Sequence, residues 1–433
     1  MSRFVAPLRD YQSEAVAKAR PYGGFALFME PRTGKTRTAL AIIAERPVDF
    51  LLIVCPKGVK DNRVWEREIE LCFPEGLGVE TEIVNFEGLW KERVRLKKKM
   101  EKSSHGAIII DESHRIKKRG NQQSRAARVI SVKKSSKAGI IFRAQTRLVL
   151  SGTPIAQGIE DAWGQFDLID SNIFGTWEKF ADRYLIYGGF EKRNIISYQN
   201  QDEFNLIFHR YSYRKTLSEV RKKSPLIKRV RVLVKMPVGI REVYTRLEKD
   251  LATEIFSKKV SAPNVISQAI KLQQLCGGFI KLDDGGITPV HREKLQALRS
   301  LLRELGTEPV VICARYLWEI DQIAEIVRSQ FKTLTIVKGG QPLTKPFTKG
   351  IAIVQIQSGV GIDLSASHKT IFYSWDYSYI NHDQFRARIA SFTSDYLIYY
   401  YLIMEETVDE VIYETVRRKQ KFSQAICDHY RNK

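Results

Sequence analysis

The chain alternates between short apolar runs and longer amphipathic segments. The apolar runs are rich in branched aliphatic side chains and lie at 25–29, 50–54, 107–110, 147–150, 230–234, 309–313, 350–355 and 370–373. Segments with a helical repeat intervene, at 36–45, 61–71, 292–305 and 317–330. Runs that are apolar throughout are typical of parallel strands covered on both faces, so the pattern predicts an α/β protein.

The predicted strands fall into two groups, which suggests two lobes. The stretch between the groups, 160–282, has a mainly helical pattern with one strand at 230–234, and its long helical part at 242–275 breaks near Pro263. Glycines at 277–278 and 285–286 indicate a linker before the second group. The sequence therefore predicts two parallel-sheet lobes in tandem, residues 1–158 and 286–433, with a mostly helical insertion at 159–285.

Composition adds a large positive charge to this picture. The 433 residues include 70 Lys or Arg and 49 Asp or Glu, which gives a formal net charge of +21. An excess of this size indicates a polyanionic partner, more often nucleic acid than an anionic membrane. A hydrophobic fraction of 43% excludes a mostly disordered chain.

Several other classes of protein are disfavoured. The five cysteines include no C-x-x-C pair, so neither a disulfide framework nor a zinc ribbon is expected. No uncharged apolar stretch approaches the ~20 residues that a membrane span needs. The N-terminus also lacks the apolar run of a signal peptide. The sequence therefore predicts a cytoplasmic protein that does not enter a membrane.

The segment EPRTGKT at 30–36 has the features of a phosphate-binding loop. It follows a predicted strand and precedes a predicted helix, and it ends in Gly34, Lys35 and Thr36. Backbone N–H groups at such a helix start suit phosphate, the lysine reaches the β- and γ-phosphates, and the hydroxyl binds Mg²⁺. Thr33 belongs to the same loop. The full pattern has an earlier glycine, at the position that Arg32 occupies here, and a basic turn capped by glycine is the alternative.

A pair of carboxylates follows another predicted strand. Asp111 and Glu112 come directly after the apolar run at 107–110, and open α/β sheets bind ligands at the carboxyl ends of their strands. Downstream of a phosphate loop, Asp111 would hold Mg²⁺ and Glu112 would polarise the attacking water. The alternative is a strand-end turn with solvated acids.

Together these motifs resemble the SWI/SNF-like branch of helicase superfamily two, in the compact form of bacteriophage or bacterial members. The resemblance implies two RecA-like lobes that bind ATP with Mg²⁺. DESH at 111–114 resembles motif II, and 30–36 resembles motif I. Further segments resemble family motifs in order along nearly the whole chain: LRDYQ at 8–12, IVCPK at 53–57, NFE at 85–87, SGTP at 151–154, FGTWEKF at 174–180, VVICAR at 310–315, SGVGIDL at 358–364 and TVDE at 407–410.

The resemblance assigns roles to individual residues. For the nucleotide it implies Arg9, Gln12, Gly361, Asp363 and Gln384 beside the phosphate loop, with Gln12 on the adenine. For coupling between ATP and the second lobe it implies His114, Ser151 and Thr153. For nucleic acid it implies a grip on backbone phosphates by basic and polar side chains: Lys57, Asn85, Arg115, Lys117, Lys118 and Arg315.

The last motif departs from the family pattern, which has two arginines after its glutamine. Gln384 and Arg388 match, but Ser391 stands where the second arginine belongs. An arginine finger is worth ~10³–10⁵ in rate, and serine carries no charge. Three interpretations are open. In the first, Arg388 suffices, with Arg386 or a partner's arginine assisting. In the second, hydrolysis is slow and gated by a partner, and in the third the protein only binds DNA. Because Lys35, Asp111 and Glu112 are all present, we favour an active ATPase.

The resulting functional hypothesis is a monomeric DNA-dependent ATPase that moves along double-stranded DNA without sequence preference. Single-stranded DNA is a further candidate partner, and protein partners cannot be read from the sequence. By analogy with compact family members, we expect a role in DNA repair, recombination or replication in a bacterial or infected host cytoplasm. A nucleic-acid-binding protein without hydrolysis and an RNA helicase are the alternatives.

Tyrosines at 396, 399, 400 and 401 permit two interpretations, base stacking or a buried strand, of which we favour the strand.

Overall fold

The computed structural model describes residues 3–116, 122–136, 139–155, 158–188, 194–221, 225–256, 262–282, 284–339, 343, 346–358, 362–390, 394–418 and 425. The chain divides into two compact units, Met1–Lys222 and Lys223–Lys433. The sequence predicts three segments with boundaries at residues 158 and 285, and these boundaries stay a prediction.

The first unit is an α/β unit around a six-stranded sheet with strand order β10-β1-β7-β4-β2-β3. All neighbouring pairs in this sheet are parallel. A 3₁₀ helix at Ser113–Ile116 follows β4. The other elements are α1 (Asp10–Ala19), β1 (Gly24–Met29), α2 (Lys35–Ala44), β2 (Phe50–Cys55), α3 (Lys57–Asp61), α4 (Val64–Cys72), β3 (Glu80–Asn85), α5 (Phe86–Lys91), α6 (Arg93–Lys102), β4 (Gly106–Asp111), α7 (Gln122–Ser131), β5 (Val132–Ser136), β6 (Gly139–Phe142), β7 (Ala144–Leu150), α8 (Glu160–Ile169), α9 (Trp177–Tyr184), β8 (Leu185–Gly188), β9 (Asn194–Tyr198), α10 (Gln201–Arg210), β10 (Ser212–Lys215) and α11 (Leu217–Val220).

The central strands of this sheet are buried because helices pack on both of its faces. Every residue of β1, β2 and β4 is buried, as parallel sheets covered on both sides require. On one face the core includes an aromatic cluster from β1, α8 and α10, in which Phe28, Phe166 and Phe208 contact one another. This packing fixes the carboxyl ends of β1, β4 and β7 at one edge of the sheet.

The second unit repeats this architecture with strand order β11-β18-β17-β14-β16-β15. Its neighbouring strands are again parallel throughout. The elements are β11 (Leu226–Val234), α12 (Val238–Phe256), α13 (Ala262–Gly277), β12 (Phe279–Lys281), β13 (Ile287–Pro289), α14 (Glu293–Leu305), β14 (Val310–Ala314), α15 (Leu317–Arg328), β15 (Leu334–Val337), β16 (Ile351–Gln355), β17 (Lys369–Phe372), α16 (Tyr379–Ile389), β18 (Tyr396–Met404) and α17 (Val408–Arg418).

The predicted fold class of two parallel-sheet α/β lobes is confirmed. Each apolar run proposed as a strand forms one, and the tyrosine-rich segment is the largely buried strand β18. The long helical stretch is two helices, α12 and α13. Three strands of the two six-stranded sheets were not foreseen, β3, β10 and β15. They carry mixed polar and apolar sequences because each lies at the end of its sheet.

Within the described ranges, no helix combines the length and the apolar character needed to cross a membrane.

Candidate functional site

The loop between β1 and α2 adopts a turn that suits a phosphate group. Gly34 has φ +80° and directly precedes α2, whose first residue is Lys35. Arg32, at the position where the family pattern has glycine, has φ +68°. The arginine therefore keeps the left-handed conformation that glycine adopts at lower free-energy cost. The first N–H groups of α2 have no partner within their own helix, and the helix dipole adds positive potential there.

Helix α1 supports this loop through two side chains. The Gln12 amide Nε2 donates to the Gly34 carbonyl at 3.2 Å, and its Oε1 accepts from the Arg9 N–H at 2.9 Å. The Tyr11 hydroxyl donates to the Thr33 carbonyl at 3.0 Å. The structure thus places Tyr11 and Gln12 directly against the phosphate loop. Arg9 is exposed, and its backbone N–H contacts the Gln12 side chain. The predicted contact of Gln12 with adenine stays a prediction.

Lys35 meets the acidic pair at the carboxyl end of β4. Its Nζ lies 3.4 Å from Oε1 of Glu112, and both side chains are largely buried. Glu112 has φ +53°, and its N–H donates to Oδ1 of Asp111 at 3.0 Å. The two motifs are 77 residues apart in sequence, and they meet because parallel strands end at one edge of the sheet.

The predicted coupling residues continue this chain of contacts. His114 Nδ1 lies 3.4 Å from Oε2 of Glu112 and 3.3 Å from Oγ of Ser151. The same Ser151 oxygen accepts from the N–H of Thr153 at 3.1 Å. One connected path therefore runs from the phosphate loop through motif II to the SGTP segment.

Sequence reasoning missed a residue that ties these two segments together. Gln165 of α8 is fully buried. Its Oε1 accepts from the Ser113 hydroxyl at 2.7 Å, and its Nε2 donates to the Pro154 carbonyl at 2.8 Å. No spacing rule identifies it, because it lies 52 residues from Ser113 in a helix that otherwise supplies core side chains.

The donor set fits Mg²⁺ with a nucleotide phosphate. Asp111 offers a carboxylate, Thr36 a hydroxyl and Lys35 an ammonium group, the groups that such sites use. Burial raises the pKa of Asp111; the neighbouring Glu112 adds to this effect and Lys35 opposes it. Within the described ranges, no cluster of three or more His, Cys, Asp or Glu could hold a metal ion. A Mg²⁺ ion here would therefore complete its shell with phosphate oxygens and water, as it commonly does.

The residues predicted to contact nucleic acid in the first unit have different environments. Lys57 and Arg115 are exposed, with the Arg115 guanidinium 5.3 Å from the centre of the Phe86 ring. Asn85 caps α5, where its Oδ1 accepts from the Gly88 N–H at 2.6 Å. Two further predicted contacts, Lys117 and Lys118, lie outside the described residues.

In the second unit the structure brings two predicted nucleotide-binding segments together. The Leu364 N–H donates to the Arg388 carbonyl at 3.1 Å, which places Asp363 next to the end of α16. Gln384 and Arg388 are half-buried on this helix. Gly361 and Ser391 lie outside the described residues, so their predicted roles stay predictions.

The predicted DNA contact Arg315 has partners within the second unit. Its Nη1 donates to Oε1 of Gln273 at 2.7 Å, and its guanidinium lies 4.5 Å from the centre of the Tyr377 ring.

Comparison with known proteins shows which proteins this chain resembles. Residues 78–278 match the family model of the SNF2-related domain. This confirms the resemblance to SNF2-like helicases of superfamily two. Among similar proteins is protein p41 of Acyrthosiphon pisum secondary endosymbiont phage 1, which is 25% identical over 76% of this chain and 73% of its own length.

Longer relatives match as well. The uncharacterized ATP-dependent helicase MG018 of Mycoplasma genitalium is 23% identical over 96% of this chain, which spans 42% of that protein. The chain spans less than half of MG018, so the full activity of such relatives does not transfer directly. A solved structure, the Sulfolobus solfataricus SWI2/SNF2 ATPase core in complex with dsDNA, is 18% identical with a TM-score of 0.44, covering 95% of this chain and 91% of that chain. The sequence matches support an SNF2-family ATP-dependent helicase or translocase motor.

Proposed function

We propose that the protein is a DNA-dependent ATPase that moves along double-stranded DNA. The observation that carries the proposal is the connected path from Lys35 through Glu112 and His114 to Ser151. It joins the loop at 30–36, the acidic pair at 111–112 and the SGTP segment at 151–154. A site that only bound phosphate would need the first of these parts alone.

The lysine and the loop bind and orient the nucleotide. Lys35 is at the first position of α2 with its Nζ beside Glu112, and a γ-phosphate would compete with that carboxylate for the ammonium group. Release of Glu112 from Lys35 leaves the acid able to accept a proton from water, which phosphoryl transfer requires for the nucleophile. Thr36 and Asp111 would hold Mg²⁺, whose chemistry is to neutralise charge that develops on the phosphate oxygens.

The histidine then links the state of Glu112 to the SGTP segment. His114 Nδ1 is within reach of both Glu112 and Ser151. In the tautomer that carries the proton on Nδ1, one N–H is therefore available for two acceptors. A shift of Glu112 toward water strengthens the bond to Ser151. This exchange is a local two-state element of the kind that converts a bound phosphate into movement.

The choice of DNA rests on charge and on relatives. The net charge of +21 and the exposed Lys57 and Arg115 suit a phosphate backbone. A mouse relative, 23% identical over 95% of this chain, is named the DNA annealing helicase and endonuclease ZRANB3. The contribution of Arg388 and a role in repair, recombination or replication also belong to the proposal.

The test is ATP turnover of the full chain with no nucleic acid, single-stranded DNA, duplex DNA and RNA. We expect the largest stimulation from duplex DNA. Lys35→Ala and Glu112→Gln should each abolish it, whereas Lys102→Ala, a charge change at the exposed end of α6, should not. Displacement of a third strand from a DNA triplex then separates movement from hydrolysis alone.

The absence of an arginine at position 391 favours one alternative, a nucleic-acid-binding protein without hydrolysis. Duplex binding with ATP turnover that stays at background level, unchanged in Lys35→Ala, would support that alternative and contradict the proposal. Stimulation by RNA and not by DNA would instead indicate an RNA-directed motor.

A further inference from the structure

The second unit contains a cavity of about 240 Å³ between α16, α17 and the paired strands β11 and β18. Three arginines from three different elements line it, Arg229 of β11, Arg386 of α16 and Arg417 of α17. Among the described residues that line it, Asp383 is the only acid, and it lies 3.8 Å from the Arg386 guanidinium. Arg417 also pairs with Glu414 at 2.7 Å. The cavity wall is therefore net positive.

Buried nitrogen atoms at this cavity have no hydrogen-bond partner among the described residues. His382 is 3% exposed, and its Nε2 lies 3.1 Å from the Tyr401 hydroxyl. Its Nδ1 makes no hydrogen bond, and neither does Nε of Arg386. Buried polar atoms of folded proteins are nearly always bonded, so two such atoms beside one cavity indicate a missing acceptor.

The imidazole is suited to donate to that acceptor. Burial, reinforced by the neighbouring arginines, holds the pKa of His382 well below its usual range, so the ring is neutral with one N–H. If the Tyr401 hydroxyl donates to Nε2, the proton lies on Nδ1. The acceptor that best matches an N–H and several guanidinium groups is an anion with several oxygens.

This cavity is separate from the predicted nucleotide-binding face of the same helix. At 100° per residue, positions 379, 382, 383 and 386 of α16 fall on one side. Gln384 and Arg388 fall on the opposite side. The same geometry argues against Arg386 as an assistant to Arg388, because its guanidinium lies 4.8 Å from the centre of the Tyr399 ring.

We propose that this cavity binds a phosphate group. Guanidinium groups match phosphate with two parallel hydrogen bonds, and three arginines would neutralise its charge. The phosphate could be carried by a free phosphate ester or by a DNA backbone, since both present the same oxygens. Either would bind independently of the phosphate loop in the first unit.

The test measures binding of inorganic phosphate to the full chain in a Lys35→Ala background, which removes the phosphate loop as a competing site. Isothermal titration at constant ionic strength should detect one saturable site. Arg229→Gln should raise the dissociation constant about tenfold, which is the effect of losing one charged hydrogen bond. Lys228→Gln is the matched control, because the adjacent side chain of β11 points to the opposite face.

Duplex DNA distinguishes the two sources. If phosphate competes with DNA and Arg229→Gln weakens both, the site holds a backbone phosphate. If phosphate binds and DNA does not compete, the site holds a free phosphate ester. Absence of saturable binding in the Lys35→Ala chain would overturn the proposal. Equal effects of Arg229→Gln and Lys228→Gln on phosphate binding would overturn it too. Both residues are exposed, so we expect both variants to fold.

Discussion

Ser113 and Gln165 form a hydrogen bond of 2.7 Å in which both side chains are fully buried. Through its other end Gln165 donates to the carbonyl groups of Pro154 and Asp161. One side chain therefore holds motif II and the SGTP segment in a fixed relation. Motif II cannot move relative to the SGTP segment without breaking a hydrogen bond of Gln165. Gln165 is therefore a positioning residue for the path from Lys35 to Ser151.

A double-mutant cycle on this pair should show strong coupling. Gln165→Leu leaves the Ser113 hydroxyl and the Pro154 carbonyl unsatisfied, and we expect a loss of ~1–3 kcal/mol in unfolding free energy. Ser113→Ala removes one bond, and the double variant should cost less than the sum of the two. Urea denaturation measures all three.

Turnover gives the second readout for this pair. A positioning role predicts that Gln165→Leu lowers kcat with duplex DNA while KM for ATP changes little, because the loop at 30–36 is untouched. Additive free energies of unfolding together with an unchanged kcat would contradict the role.

Gly34→Ala should disrupt the phosphate loop more than backbone strain alone explains. A Cβ at this position would lie 2.3 Å from Nε2 of Gln12, and the φ of +80° already disfavours alanine. Gly76→Ala is the matched control, because φ is +85° and nothing lies within 4 Å of the added atom. Both should lose ~1–2 kcal/mol from strain, and Gly34→Ala should lose more and also weaken nucleotide binding.

The close contact between a Cβ added at position 34 and the Gln12 amide predicts that nucleotide binding can be partly restored, which calorimetry can detect. Gln12→Ala removes the atom that the new methyl group meets, so Gly34→Ala should be less damaging in that background. Equal losses for the two glycine variants, with no rescue, would show that strain alone is responsible.

Stability of the second unit should decrease as the pH rises through about 7. Burial raises the pKa of Glu319 from 4.5 to about 7, although hydrogen bonds from Ser374 and from the backbone oppose the shift. Between these values the folded state binds a proton that the unfolded state has lost, so its stability falls with increasing pH. The full shift corresponds to about 3 kcal/mol.

Glu319→Gln should remove this dependence, since an amide fills the same space and does not titrate. Urea denaturation at about pH 5.5 and about pH 8.5 compares it with the parent chain. Glu325→Gln, an exposed position on the same helix, should retain the dependence. A flat profile in the parent chain would contradict the assignment to Glu319.

Removing one partner of the buried ion pair between Lys294 and Asp409 should destabilise the fold more than removing both partners. The Lys294 ammonium lies 2.5 Å from the carboxylate, and the side chains are 1% and 2% exposed. Lys294→Met leaves a buried charge without its counter-ion, which costs about 3–5 kcal/mol. Removing both charges in Lys294→Met/Asp409→Leu should recover part of that loss in urea denaturation.

The exposed Arg299 of the same helix provides the control. Arg299→Met should change the unfolding free energy by less than ~0.5 kcal/mol. If Lys294→Met behaves like Arg299→Met, the pair carries no net stability.

The sequence predicted the central strands of both sheets better than their edges. Strands such as β2 and β14 are apolar at every position because helices cover both faces, and that pattern is local. Edge strands lack it. β10 has the sequence SYRK and is recognisable as a strand only beside β1, with which it pairs over four residues.

The candidate site shows the same division. Lys35, Asp111 and Glu112 were predicted because phosphate chemistry requires these residue types in a loop and at a strand end. His114 and Ser151 were predicted only because their segments resemble motifs of a known family. The engagement of Gln12 with the phosphate loop, the bridging by Gln165 and the internal partners of Arg315 were not. A side-chain amide satisfies whichever donors and acceptors the fold brings near it, and its sequence neighbours do not specify them.

The sequence by itself therefore determined the class of fold, the order of the motifs and the residue types at the ends of the first lobe's strands. These depend on local apolar patterns and on short spacings. The tertiary structure alone decided which side chains meet across long sequence separations, including Ser113 with Gln165 and the three arginines around the cavity in the second unit. Such contacts arise because packing of helices on parallel sheets brings together residues that no local rule relates.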